Sequence, residues 1–209
     1  MFPVPKVRQP RGFKADVELR GRTWLNAHPA ATHSDYPDYW RTRGNGKYVR
    51  ALKNGFHFRC GYTAHLTDHA TVDHFYSKEN YRKRTYKWSN YRYAASWLNS
   101  AKKPCHDGLL LDPYEVGPGW FEVELPSMQL VVNPAVIPTP ELVAKARFTL
   151  DTLPICDDER VVDFRAMCYA EYKASHDKPT ALQWLRRMAP LIAEAIERWE
   201  GANPGQPLP

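Results

Sequence analysis

The chain has 209 residues, of which 43% are apolar, 13% aromatic and 25% charged. These are globular proportions, which exclude collagen-like repetition, low complexity and disorder as its main character. The longest apolar runs, such as Leu109-Leu110-Leu111, are too short to span a bilayer, and Met1-Phe-Pro-Val-Pro-Lys6 lacks the continuous apolar stretch of a signal peptide. The net charge of +6 conceals an asymmetry: residues 1–106 hold 20 Lys and Arg against 7 Asp and Glu, whereas residues 107–209 hold 9 against 16.

The first segment, 1–55, is rich in Pro, Gly, Arg and aromatics and predicts an N-terminal wrapping arm of short strands or turns. Within it Arg41–Lys47 reads as a basic turn, with Asn45-Gly46 as a hairpin signal. Thr71–Tyr76 is β-branched and aromatic, as a strand would be. A polar, basic excursion follows, and residues 91–101 have a helical composition, with Ser89 or Asn90 as the cap and Pro104 as the stop. Three short strands are expected in 107–138, at Leu109–Leu111, Trp120–Leu125 and Gln129–Val132. Residues 139–209 form an acidic helical region. There Thr139-Pro140-Glu141 opens one helix and Asp157 or Asp158 the next. A last helix runs from about Thr180, kinked at Pro190, to a frayed tail after Gly201.

The strongest charge run is 78–103, where Lys78, Arg82, Lys83, Arg84, Lys87, Arg92, Lys102 and Lys103 face Glu79 alone. A field of one sign attracts polyanions, although a solvated face accounts for such a run equally well. The chemistry-bearing residues fall in and beside this run. They are Val72-Asp73-His74-Phe75-Tyr76-Ser77-Lys78, then Trp88-Ser89-Asn90-Tyr91-Arg92, then Asn99-Ser100-Ala101-Lys102-Lys103, with 16 positions from His74 to Asn90 and 9 from Asn90 to Asn99. Taken singly each has an ordinary explanation: a surface Asp-His pair, a helix cap, an exposed helical amide. Taken together they resemble the HNH (ββα-metal) nucleases, in the form with asparagines at the second and third motif positions. Asp-His-Phe, Trp-Ser-Asn-Tyr-Arg and Asn-Ser-x-Lys are similar to HNH effectors of bacterial anti-phage systems of the Septu and retron kind. Gly21-Arg-Thr-Trp24-Leu25 and Leu111-Asp112-Pro113 add weaker matches.

The resemblance implies an α+β fold with an HNH ββα-metal core at 56–106. It implies a metal-dependent endonuclease acting on DNA. In that reading His74 takes a proton from the attacking water, since a neutral imidazole titrates near physiological pH. Asp73 and Asn99 hold one Mg²⁺ or Mn²⁺ by hard oxygen donors, and Asn90 ties the loop to the strand and so fixes the His74 ring. Lys78, Arg82, Lys83, Arg84, Arg92, Lys102 and Lys103 contact the nucleic-acid backbone. Asp73 and His74 are neighbours, so the strand must end or bulge there for both to reach one phosphate. Structural Zn²⁺ is not expected: Cys60 and Cys105 flank the motif singly, and with His65, His69 and His106 they fit no zinc spacing. The scattered cysteines also build no disulfide scaffold, so a reduced, cytoplasmic protein is expected. The acidic C-terminal helices suit a protein partner such as a defence ATPase better than DNA, and no P-loop is present. A catalytically silent nucleic-acid-binding subunit and an RNA-directed nuclease remain alternatives.

Overall fold

The structure, a computed structural model, describes residues 1–42, 46–67 and 70–209. Part of the basic turn with Asn45, and His69 beside the first strand, lie outside the described residues. The N-terminal segment is helical rather than built of short strands and turns. A π-helical stretch, Lys14–Leu19, runs into α1 (Arg20–Ala27), and α2 (Tyr39–Thr42) and α3 (Lys47–Gly55) follow. The reason lies in spacing that the Pro and Gly content masks. Phe13 and Val17, then Tyr48 and Leu52, recur four residues apart and are all buried. Gly46 precedes α3 with φ of 73°, a left-handed residue leading into a helix instead of a hairpin turn.

These helices cover one face of a two-stranded antiparallel hairpin, β1 (Ala70–His74) and β2 (Tyr91–Ala95), in which Asp73 lies opposite Arg92 and His74 opposite Tyr91. Val72, Tyr91 and Tyr93 point into an aromatic core with Phe13, Trp40, Tyr48 and Trp88. Phe75, Ala94 and Ala95 join a second core shared with the C-terminal half. Both hairpin faces are therefore covered, which explains why every β2 residue is buried. The helix expected over 91–101 is shorter than its composition suggests. Tyr91–Ala95 is strand, because Tyr91 and Tyr93 alternate with Arg92 and Ala94 and β1 supplies their backbone partners. Only Ser96–Ala101 is helix, α4. Gly21 has a packing reason: a Cβ there would sit 2.1 Å from the Tyr86 ring, so α1 approaches the excursion only as glycine.

In the second half β3 (Phe121–Val123) and β4 (Leu130–Val132) pair antiparallel. Leu109–Leu111 is a turn and not a strand. Leu110 and Leu111 are buried, and the Leu111 amide donates to Thr149 Oγ1 at 2.7 Å instead of to a neighbouring strand. Four helices follow: α5 (Pro140–Thr152), α6 (Glu159–Ala174), α7 (Lys178–Met188) and α8 (Pro190–Ala202). Thr139 and Asp158 cap α5 and α6 by accepting from Leu142 N and Arg160 N. Pro190 separates α7 from α8 where a kink in one helix was expected, since it takes the first position of a new helix without losing a bond. The tail is docked rather than frayed: Leu208 packs on the core, and the Pro209 carbonyl accepts from Tyr169 Oη at 2.6 Å and Lys173 Nζ at 3.0 Å. Among the described residues no helix is long and apolar enough to cross a membrane.

Candidate active site

The hairpin and α4 bring the sequence motifs together. β1 ends at His74, so Asp73 and His74, although on opposite faces of the strand, both line one cleft at its end. Asn99, half-buried on α4, lines the same cleft. This cleft has a volume of about 360 Å³. Lys78, Lys102 and Lys103 also line it, and its far wall comes from the N-terminal segment through Asp38, Trp40 and Arg41.

His74 is 9% exposed, and its ring sits edge-on between Trp40 and Tyr91, at centroid distances of 4.8 and 5.0 Å. Its Nε2 lies 3.0 Å from the Thr85 carbonyl oxygen. A carbonyl only accepts, so in the neutral ring Nε2 carries the proton and Nδ1 is the lone-pair nitrogen. Burial, and then the Lys78 ammonium, push His74 down to about 3. The ring is therefore neutral throughout the physiological range but a much weaker base than the near-physiological imidazole expected from the sequence, because it is buried beside a cation; an anion entering the cleft would shift it back toward a stronger base.

Asn90 explains how Thr85 is held in place. The chain from Phe75 to Asn90 leaves β1 and returns to β2, and the Asn90 side chain closes it. Tyr76 N donates to Asn90 Oδ1 at 2.8 Å, while Asn90 Nδ2 donates to Tyr76 O at 2.9 Å and to Arg84 O at 3.3 Å. Asn90 is 3% exposed and lies in the connection before β2, in a short 3₁₀ turn Trp88–Asn90. At the other end of the excursion, Ser77 N and Oγ donate to the Asp107 carboxylate at 2.7 and 2.5 Å.

The Asp73 carboxylate is 1% exposed and fully engaged. Tyr62 Oη donates to its Oδ2 at 2.8 Å, and Lys102 Nζ donates to Oδ1 and Oδ2 at 2.9 and 3.1 Å and to the His74 carbonyl at 2.8 Å. Among the described residues no group of three or more His, Cys, Asp or Glu side chains is arranged around a common point for a metal. Asp73 and Asn99 would give a divalent ion one carboxylate and one amide oxygen, a hard set suited to Mg²⁺ or Mn²⁺, only with Lys102 displaced from the carboxylate.

The basic residues divide into three groups. Arg92 directs Nε to Asp112 Oδ1 at 2.6 Å, Nη2 to Asp112 Oδ2, and Nη1 to the Ser89 and Tyr91 carbonyls, both at 2.8 Å. Arg82 donates to the carbonyls of Ala31, Leu25 and His28 and to Tyr36 Oη, tying the excursion to the N-terminal helices. Both guanidinium groups are committed inside the molecule, so the weaker flanking match at Asp112 has a structural role. Lys83 and Arg84 are exposed and line a separate, larger cleft of about 820 Å³ with Lys6 and Lys87. Lys78, Lys102 and Lys103 alone of the expected nucleic-acid contacts share the cleft with His74.

Sequence reasoning missed the far wall. Trp40 is buried beside His74, with its Nε1–H unpaired among the described residues, and Lys78 Nζ lies 5.6 Å from its ring centroid. Arg41 Nη2 donates to Thr71 Oγ1 at 2.7 Å, joining α2 to β1. No periodicity connects residues 38–41 to a motif more than thirty positions away. No protein-family model matches the chain, and no curated protein matches it significantly.

Proposed function

We propose that residues 56–106 form an HNH-type ββα core and that the chain is a metal-dependent endonuclease hydrolysing DNA phosphodiester bonds, an effector of bacterial anti-phage defence. One observation carries this reading. Asp73, His74 and Asn99, from the end of a strand and from the helix after its partner, line a single cleft, and His74 is held in the tautomer a base requires.

Asp73, once Lys102 has left it, and Asn99 would hold a divalent cation, which would supply charge stabilisation for the phosphate and the leaving oxygen. The chain's own residues do the rest. Lys78 and Lys103 draw the phosphodiester into the cleft. His74 Nδ1 accepts a proton from water as the water oxygen bonds to phosphorus and the bond to the 3′-oxygen breaks. Thr85, held through its neighbour Arg84 by Asn90, keeps the imidazole aimed and its other proton in place. Burial between Trp40 and Tyr91, with the Lys78 ammonium beside it, keeps the basic nitrogen unprotonated before substrate arrives.

Incubating supercoiled plasmid with the protein and Mg²⁺ or Mn²⁺, beside His74→Ala, tests the reading. Cleavage by the wild type and none by the variant is expected. Equal DNA binding by both with cleavage by neither would indicate a silent binding subunit, and cleavage of RNA alone would change the substrate.

A further inference from the structure

The cation at the centre of the cleft is a residue of the chain. Lys102 follows directly on α4, and its Nζ is saturated by three oxygens, both of Asp73 and the carbonyl of His74. The two charged side chains are 6% and 1% exposed, so this is a buried ion pair rather than a surface contact. A divalent ion seeking Asp73 meets an ammonium already in its place. Two cations on one buried carboxylate repel, and the flexible four-carbon stem gives Lys102 the freedom to leave. A released ammonium then faces Lys78, Lys103 and Arg41 on the same cleft walls, an excess of positive charge that Asp38 and Glu79 offset only in part. An anion entering at that moment relieves it.

Resting on the nuclease reading, we propose that Lys102 is a resident cation of the site. It holds Asp73 until a divalent ion and a phosphodiester enter together, and then transfers its ammonium to an anionic oxygen of that phosphodiester. Metal binding and nucleic-acid binding are thereby coupled, each strengthening the other by the same factor. The site stays closed to free metal while no substrate is present.

The test measures Mn²⁺ binding directly, by the loss of the free-ion electron paramagnetic resonance signal, for wild type, Lys102→Met and Lys102→Arg. Lys102→Met should bind Mn²⁺ about tenfold more tightly than wild type, while Lys102→Arg, which keeps the charge, stays weak. In a His74→Ala background, which prevents cleavage, a short DNA duplex should raise Mn²⁺ affinity about tenfold, and adding Lys102→Met should remove most of that gain. Removing the ammonium leaves the Asp73 charge buried with no counter-charge and only the Tyr62 hydroxyl donating to it, so melting is followed in parallel. Lys102→Met should melt lower than wild type without metal and gain more from Mn²⁺ than wild type does. Equal or weaker Mn²⁺ binding by Lys102→Met, a duplex without effect on Mn²⁺ affinity, or a Lys102→Met protein that Mn²⁺ does not restore overturns the exchange. If wild type cleaves plasmid while Lys102→Met binds Mn²⁺ unchanged, the exchange fails and the nuclease reading stands. If no arm binds Mn²⁺ and nothing is cleaved, both fail.

Discussion

Replacing Asn90 with alanine removes three hydrogen bonds from a side chain that is only 3% exposed, and leaves Tyr76 N, Tyr76 O and Arg84 O without that partner. A buried hydrogen bond contributes about 1 kcal/mol net, and more where its partner is left unpaired, so the change should cost roughly 3 kcal/mol. For a chain of this size that lowers the melting temperature by roughly 6–12 °C. The effect should also reach the cleft. Arg84 O is one of the groups released, and the next residue's carbonyl anchors His74 Nε2. A ring displaced by an ångström should lose on the order of a hundredfold in cleavage rate. Asn90→Asp separates the contributions: it keeps the acceptor for Tyr76 N but faces two carbonyl oxygens with a charge. It should be at least as destabilised as Asn90→Ala at neutral pH, and regain stability in acid as the carboxyl becomes a donor. Urea unfolding gives the stability change and a plasmid time course gives the rate. A loss below about 1 kcal/mol for Asn90→Ala would mean that the staple does not hold the excursion, and the account of His74 positioning would fall with it.

The Arg92–Asp112 pair should behave as a buried pair. Asp112→Asn leaves a 4%-exposed guanidinium without its counter-charge and should cost about 3–5 kcal/mol, whereas Arg92→Met with Asp112→Leu should recover much of the loss in urea unfolding. His65 sets an acid limit on stability. It is buried against Phe164, and burial, then the Arg165 charge, hold it well below its ordinary 6.5. As pH falls through 6.5 the unfolded chain takes up this proton and the folded chain does not. His65 therefore contributes stability above pH 6.5 that is progressively lost below it, by up to about tenfold in the folding equilibrium per pH unit. His65→Phe should flatten that part of the unfolding profile between pH 6.5 and 5; an unchanged slope would contradict the assignment.

The sequence makes local chemistry legible and long-range contacts less so. The caps at Thr139 and Asp158 depend on residues three or two positions away, and both form. The first strand follows from its β-branched and aromatic composition and the strand near 121–123 from alternation, and both are present. Tyr91–Ala95 reads as helix because its composition allows helix, and only pairing with β1 decides for strand. The basic run is legible as charge, but not as three separate groups. Whether an arginine is free for phosphate depends on carbonyls and an acid brought in by the fold, as at Arg82 and Arg92. The cleft's motif residues lie within thirty positions of one another and were nameable in advance. Its opposite wall at Asp38, Trp40 and Arg41 is set by how the N-terminal helices lie on the hairpin, and no local pattern encodes that.

The central claim is that Asp73, His74 and Asn99 act as one unit on a phosphodiester. Its most direct measurement is a plasmid time course in Mg²⁺ comparing wild type with Asp73→Asn, His74→Ala and Asn99→Ala, with DNA affinity measured alongside. The account predicts cleavage by the wild type and losses on the order of a hundredfold or more in each variant, with DNA affinity retained in His74→Ala and lowered by no more than about tenfold in Asp73→Asn and Asn99→Ala, which lose the metal. Variants that cleave as fast as the wild type, or a wild type that binds duplex and never cuts it in either metal, would contradict the account.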